Sequence, residues 1–298
     1  MSATVSSLRR RIQGVHDLEA VVRTMKAMAA ANIGFFESAA HSLADYARTI
    51  ELGLSVCLRH SPPPAPTSGK PCAIGALVFG SDQGMVGQFN DHLAEFVADN
   101  LGSSGRFTLW TVGERIQSRI EDDGFQIGRA YQNAGSITGI SSLVGQIARD
   151  ICNLGDIRQV DELLVFHNQP IGKPGYRPSV QRLLPLDQEW EHRLRGIAWP
   201  TRLLPETLGS VESTLEKLVQ EHLFISLFRT CAESLAAENA SRLAAMQQAE
   251  HNIGELLDRL TLECNRRRQS SIDEELFDVI SGFEALADSE AGRQRRKE

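Results

Sequence analysis

Aromatic residues are scarce in this 298-residue chain, at 6%, so a core must rest on Leu, Ile, Val and Ala, a mixture that suits helices. No apolar run reaches the ~18 residues needed to span a bilayer, so work at a membrane would be done from the water side. No secretory signal is visible at the N-terminus either, where the first apolar residues are dispersed and then interrupted by Arg9, Arg10 and Arg11. The formal net charge is −7, without the basic surplus expected of a general nucleic-acid binder. Five cysteines (Cys57, Cys72, Cys152, Cys231, Cys264) form no CxxC pair and no even framework, which points to a reduced cytosolic chain with packed thiols.

Chemistry-bearing motifs are equally sparse. The nearest approach to a Walker A sequence, Ser68–Pro71, lacks the upstream glycine spacing and runs into proline. Gly80, Gly84 and Gly87 could cradle a phosphate, but their spacing is not G-x-G-x-x-G, and a tight turn accounts for them. The eight histidines contain no HExxH; His92 and Glu95, one helical turn apart, read as an ordinary surface pair. No catalytic residue, metal ligand or cofactor is assigned.

Two stretches lack proline altogether, Ser2–Leu58 and Glu206–Leu286. In the first, Leu8, Val15, Val22, Ala29 and Phe36 recur every seventh residue, with Leu18 and Met25 filling alternate positions, the pattern of a coiled-coil seam. In the second, Leu243, Met246, Ile253, Leu257 and Leu260 follow the same spacing, with Glu250 and Cys264 completing it. Pro205 is well placed to start that helix. Ordinary globular helices average about 11–12 residues, so two such long segments find cover most economically in each other. Several shorter helices with unseen breaks are the alternative.

Between them, Ser61–Pro71 has five prolines in eleven residues and reads as a linker. Strands are then expected at Cys72–Phe79, Arg106–Val112, Phe125–Ala130, Val160–His167 and Ser179–Leu184. Helices are expected near Gln88–Leu101, Glu114–Asp122 and Ile140–Leu154, giving a mostly parallel α/β sheet. The expected segments are a helix at 1–58, a linker at 59–71, an α/β domain at 72–205, a second helix at 206–286 and a basic tail at 287–298.

Several stretches resemble the γ subunit family of F-type ATP synthases. L-R-R-R-I-Q-G-V (Leu8–Val15) and R-T-M-K-A-M-A-A-A (Arg23–Ala31) are similar to its opening helix, where an Ile-x-x-Val step precedes T-x-A-M-x-M-V-A-A. S-D-Q-G-M-V-G-Q-F-N (Ser81–Asn90) is similar to its S-D-x-G-L-C-G-x-F-N turn. P-S-V-Q-R-L-L-P-L (Pro178–Leu186) and the blocks Ala236–Asn252 and Leu260–Gly282 resemble its ending in the same order. Cys264 stands where the family usually has Tyr, Asp273 where it has Thr, and Leu243 where it has Met, which marks a divergent bacterial-type branch.

The resemblance implies an antiparallel helical coiled coil with a Rossmann-like α/β domain inserted between its strands. It implies a central-stalk rotor coupling a membrane c-ring to ATP synthesis or hydrolysis at a hexamer of α and β subunits, with the ε subunit as a further partner. It further implies a peripheral site on the cytoplasmic face of the bacterial plasma membrane. The residues it marks for hexamer contact are Arg9, Arg10, Arg11, Met25, Lys26, Arg267, Arg268 and Gln269, with Arg266 in the same basic run. Two other readings stay open: a coiled-coil scaffold or adaptor, and an α/β enzyme with helical arms, which requires a pocket at the strand ends.

Overall fold

The computed structural model describes residues 4–60, 74–102, 107–153, 162–172, 175–184, 188–201, 203, 205–207 and 209–294. The proline-rich segment Ser61–Pro71 and the last four residues of the basic tail lie outside the described residues. The elements, in chain order, are α1 (Val5–Ser42), α2 (Ala44–His60), β1 (Ile74–Phe79), α3 (Phe89–Leu101), β2 (Phe107–Val112) and α4 (Glu114–Asp122). They continue with β3 (Ile127–Tyr131), α5 (Ile137–Asn153), β4 (Glu162–Gly172), β5 (Gly175–Leu184), α6 (Gln188–Arg195) and α7 (Val211–Gln294). The chain divides into two compact units, residues 26–245 and residues 1–25 with 246–298, and α1 and α7 contribute to both.

The larger unit is built on a sheet of order β3-β2-β1-β4-β5. The pairs β1·β2, β1·β4 and β2·β3 are parallel, and β5 returns antiparallel along β4. β1 is covered on both faces, so it reads as a continuous apolar run with no polar alternation. Ala76 and Val78 face one core with Leu93 and Val97 of α3 and Ile116 and Ile120 of α4. Leu77 and Phe79 face the other, with Ile140, Val144 and Ile147 of α5, Phe36 of α1, and Leu227, Cys231 and Leu235 of α7. Both long helices therefore supply one face of the sheet's core.

Two local features depart from expectation. The first helical stretch is interrupted at Leu43, where a turn separates α1 from α2. No proline or glycine marks the place. The Ser42 hydroxyl donates to the carbonyl of Ala39 at 2.9 Å, a local bond that competes with helix continuation, and Leu43 packs against two apolar clusters at once. The second is α6, which was not foreseen. It is short and charged, but Leu194 is fully buried against Ile50, Leu54 and Leu58 of α2, and Arg195 bridges to Glu191.

The turn after β1 is close-packed. A Cβ on Gly80 would lie 2.2 Å from the Cβ of Ile116, and one on Gly113 would lie 2.8 Å from the Ser81 backbone, at a φ of +112°. Gly14, by contrast, sits in α1 with open space around it. Gly80→Ala should therefore destabilise the chain by about 1–3 kcal/mol through overpacking. Gly14→Ala should stabilise it by roughly 0.5–1 kcal/mol through helix propensity. Denaturant unfolding of the purified variants checks both signs.

Candidate interaction surface on the helices

In the smaller unit, the start of α1 and the later part of α7 run antiparallel. Leu8 packs with Leu260 and Cys264, supported by Val5, Ile12 and Val15. Further along, Arg23 donates to Glu250 at 3.3 Å and to Glu19 at 2.6 Å. On α7 the expected seam holds: Met246, Glu250, Ile253, Leu257, Leu260 and Cys264 are each buried or half-buried. On α1, Leu8, Val15 and Val22 also face inward and Met25 of the alternate row is half-buried, but the expectation for Leu18 is corrected. Leu18 is 58% exposed, and Ile12 and Glu19, four residues after Leu8 and Val15, take its place. In a seven-residue repeat either neighbouring row can close a seam. The Arg23 bridges from Glu19 to Glu250 fit the row that won.

The residues marked for contact fall into three groups. Arg9, Arg10 and Arg11 are exposed on α1 beside Leu8, and Arg266, Arg267, Arg268 and Gln269 are exposed on α7 beside Cys264. Both triplets thus flank one apolar cluster, and among the described residues neither triplet is in a salt bridge. Met25 and Lys26 are half-buried.

Sequence reasoning missed two apolar surfaces. Ile272, Leu276, Phe277, Val279 and Ile280 are 45–69% exposed, because they lie on α7 past the residues that pair with the beginning of α1. Their i, i+4, i+7 spacing was a usable signal. On the outer side of α1, Leu18 and Val21 are exposed in this unit, and Met28 and Phe35 in the other.

In the larger unit, the carboxyl ends of the parallel strands are where an open α/β sheet ordinarily receives a ligand. Here α7 occupies that position. Ser234 Oγ donates to the Phe79 carbonyl at 3.1 Å and Ser241 Oγ to the Val86 carbonyl at 2.6 Å. Asn133 Nδ2 lies 2.9 Å from the Gly80 carbonyl and 3.2 Å from Glu238 Oε2. Asp82 accepts from the backbone amides of Glu114 and Asn133 at 3.1 and 2.9 Å. The glycines of this turn thus serve close packing. Burial pushes the Glu238 carboxyl above its ordinary range; Arg242 pulls it back and Asp82 adds to the rise.

A separate polar cavity of about 750 Å³ lies among α2, α6, α7, β4 and β5. Its charges are largely satisfied by one another and by a neighbour. Glu233 accepts from His167 at 3.2 Å and from Arg229 at 2.8 Å, while Arg182 reaches Glu162 at 2.6 Å. Burial alone would raise the Glu233 carboxyl, but the bonds from His167 and Arg229 outweigh it and hold it low. Among the described residues, no group of three His, Cys, Asp or Glu side chains is arranged to hold a metal. Cys57, Cys231 and Cys264 are buried.

A family model described as ATP synthase matches residues 4–286. The ATP synthase gamma chain of Syntrophus aciditrophicus (strain SB) is 28% identical over 297 residues, covering 96% of this chain and 99% of its own. That of Thermobifida fusca (strain YX) is 28% identical over 310 residues, covering 99% and 100%. Among solved structures, a chain of the Euglena gracilis mitochondrial ATP synthase rotor is similar with a TM-score of 0.63, at 15% identity, covering 90% of this chain and 98% of that one. A chain from the central stalk and c-ring of the Tetrahymena thermophila mitochondrial enzyme gives 0.57 at 19% identity, with 77% and 99% covered. At those identities the structural likeness speaks to fold.

The geometry generates two expectations. Leu8→Cys should form a disulfide with native Cys264 under mild oxidation, seen as a mobility shift on a non-reducing gel. Leu18→Cys should not, and a bond from position 18 instead would restore the rejected row. The second concerns pH. Because the folded pKa of Glu238 is raised, its contribution to stability is fully present below the unfolded value and is lost as pH rises through the folded one. The melting temperature of the wild type should therefore fall over that window, and Glu238→Gln should flatten the fall. An unchanged slope in the variant would place the dependence elsewhere.

Proposed function

The chain belongs to the ATP synthase family, as a gamma chain of the central stalk, and from that premise we propose how its surfaces engage their partners. It is a non-catalytic rotor subunit of a complex that makes or hydrolyses ATP. The finer assignment is that α1 and α7 form the shaft inside the hexamer of α and β subunits, segments 1–58 and 206–286 in sequence terms. The α/β segment 72–205 meets the ε subunit and the c-ring, at the cytoplasmic face of the membrane. Among the described residues, no helix is long and apolar enough to cross a membrane.

The observation that carries the contact assignment is the pair of arginine triplets, exposed and, among the described residues, outside any salt bridge, around the Leu8–Leu260–Cys264 cluster. Three chemically identical β subunits can adopt different states only if the shaft shows each a different face with a different interaction energy. Exposed guanidinium groups suit this role. They form charge-assisted hydrogen bonds with β-subunit carboxylates or carbonyls, and those bonds can be broken and remade at each step. Further along α1, Lys26 offers the same kind of charge-assisted bond, and Met25 beside it offers an apolar contact. The apolar stripe Ile272–Ile280 suits a different task, sliding against an apolar sleeve, where contact is non-directional.

Arg268→Ala with Gln269→Ala tests this assignment. Loss of a shielded charge-assisted bond of about 1.5–3 kcal/mol shifts the balance of states at one rotational position by roughly tenfold or more. In reconstituted complexes the double variant should assemble normally, while ATP-driven ion pumping falls further than ATP hydrolysis. Wild-type values for both activities would reduce the two side chains to a solvated face, and failure to assemble would make their role structural.

A further inference from the structure

Ser234, Glu238 and Ser241 stand at i, i+4 and i+7 on α7 and so share one face of the helix. Each reaches a fixed part of the larger unit. Ser234 bonds the last carbonyl of β1, Ser241 bonds the carbonyl of Val86 in the turn before α3, and Glu238 receives Asn133 from the loop after β3. The receiving side is itself braced. Asn133 also holds the Gly80 carbonyl, Asp82 ties the Asn133 and Glu114 amides together, and the Asn90 side chain bonds both the Ser81 amide, at 3.1 Å, and its hydroxyl, at 2.8 Å. Val86 of the same turn and Phe89, the first residue of α3, are buried against Ala237, between Ser234 and Ser241 on α7.

Apolar packing holds a helix against a sheet without choosing its register, because the attraction is non-directional. Hydrogen bonds to buried carbonyls do choose it, since a displaced helix would strand those carbonyls away from water. We propose that the Ser234–Glu238–Ser241 face is the joint through which torque passes between the α/β domain and the C-terminal helix. Its fixed side consists of the Phe79 and Val86 carbonyls and the Asn133 amide. This deepens the rotor assignment and rests on it. The three side chains are positioning residues: they set the angular stiffness of the shaft at its root and touch no nucleotide.

The test is made in the complete ATP synthase with the catalytic hexamer immobilised. A bead is attached through Asp99→Cys on the exposed face of α3, with Cys72 and Cys152 replaced by serine. By equipartition the angular variance of the bead during a catalytic pause scales inversely with the stiffness between bead and hexamer. Ser234→Ala with Ser241→Ala removes two of the three ties, and the variance should rise roughly twofold or more if they act as a network. Solution ATP hydrolysis should stay near wild type. Ser241→Thr, which keeps the hydroxyl, should give a variance near the wild-type value and below that of Ser241→Ala, both with native Ser234. If the double variant fails to assemble, Ser241→Ala alone is read in the same way, with a smaller rise expected. Unchanged variance in the alanine variants, or a threonine variant as loose as the alanine one, overturns the joint. Absence of rotation with the wild-type chain would count against the rotor assignment and leave the joint's own result separate.

Discussion

Most of the apolar stripe on the 84-residue helix α7, up to Cys264, is covered within the chain, and the rest of the structure follows from how that is done. Helical stability in a protein comes mainly from packing an apolar face, not from propensity. In the larger unit the stripe is covered by the sheet: Leu227, Cys231, Leu235 and Ala236 lie in the same core as Leu77, Phe79 and Val165. In the smaller unit it is covered by α1, through Leu260 and Cys264 against Leu8. One helix therefore serves as a layer of an α/β core in one part of the chain and as half of a two-helix seam in another.

That double use explains why polar groups gather at the carboxyl ends of the strands. In a freestanding open sheet, that edge is left for a ligand. Here α7 crosses it, and every carbonyl it covers needs a donor, which Ser234, Ser241 and Asn133 supply. The same crossing isolates Glu238 and raises its pKa. A site that could have bound a nucleotide in another α/β protein is here a mechanical contact, using the same strand ends and the same kind of glycine turn.

The exposed residues of the smaller unit divide by chemistry into basic and apolar groups. Arginines lie exposed around the seam, where the proposed contacts would be exchanged, and exposed apolar residues lie past it. None of these side chains is needed to hold the two helices together, since the seam is closed by other rows. The surface is thus free to be shaped by its partners.

Much of this was legible in the sequence, because periodicity is a direct image of burial. Leu243, Met246, Glu250, Ile253, Leu257, Leu260 and Cys264 are each buried or half-buried as their spacing required, and β1, β2, β3, β4 and β5 fall within a few residues of their expected ranges. Apart from α6 and the break between α1 and α2, the sequence by itself thus determined the elements, the seam on α7 and the basic clusters. It could not choose between the Leu18 row and the Ile12–Glu19 row on α1, since both satisfy a seven-residue repeat and only the partner helix decides. Nor did it show the turn at Leu43, the antiparallel course of β5 along β4, or the placing of Ser234, Glu238 and Ser241 beneath the strand ends. Those depend on contacts between residues up to 155 positions apart, and local pattern carries no record of what lies across a gap of that length.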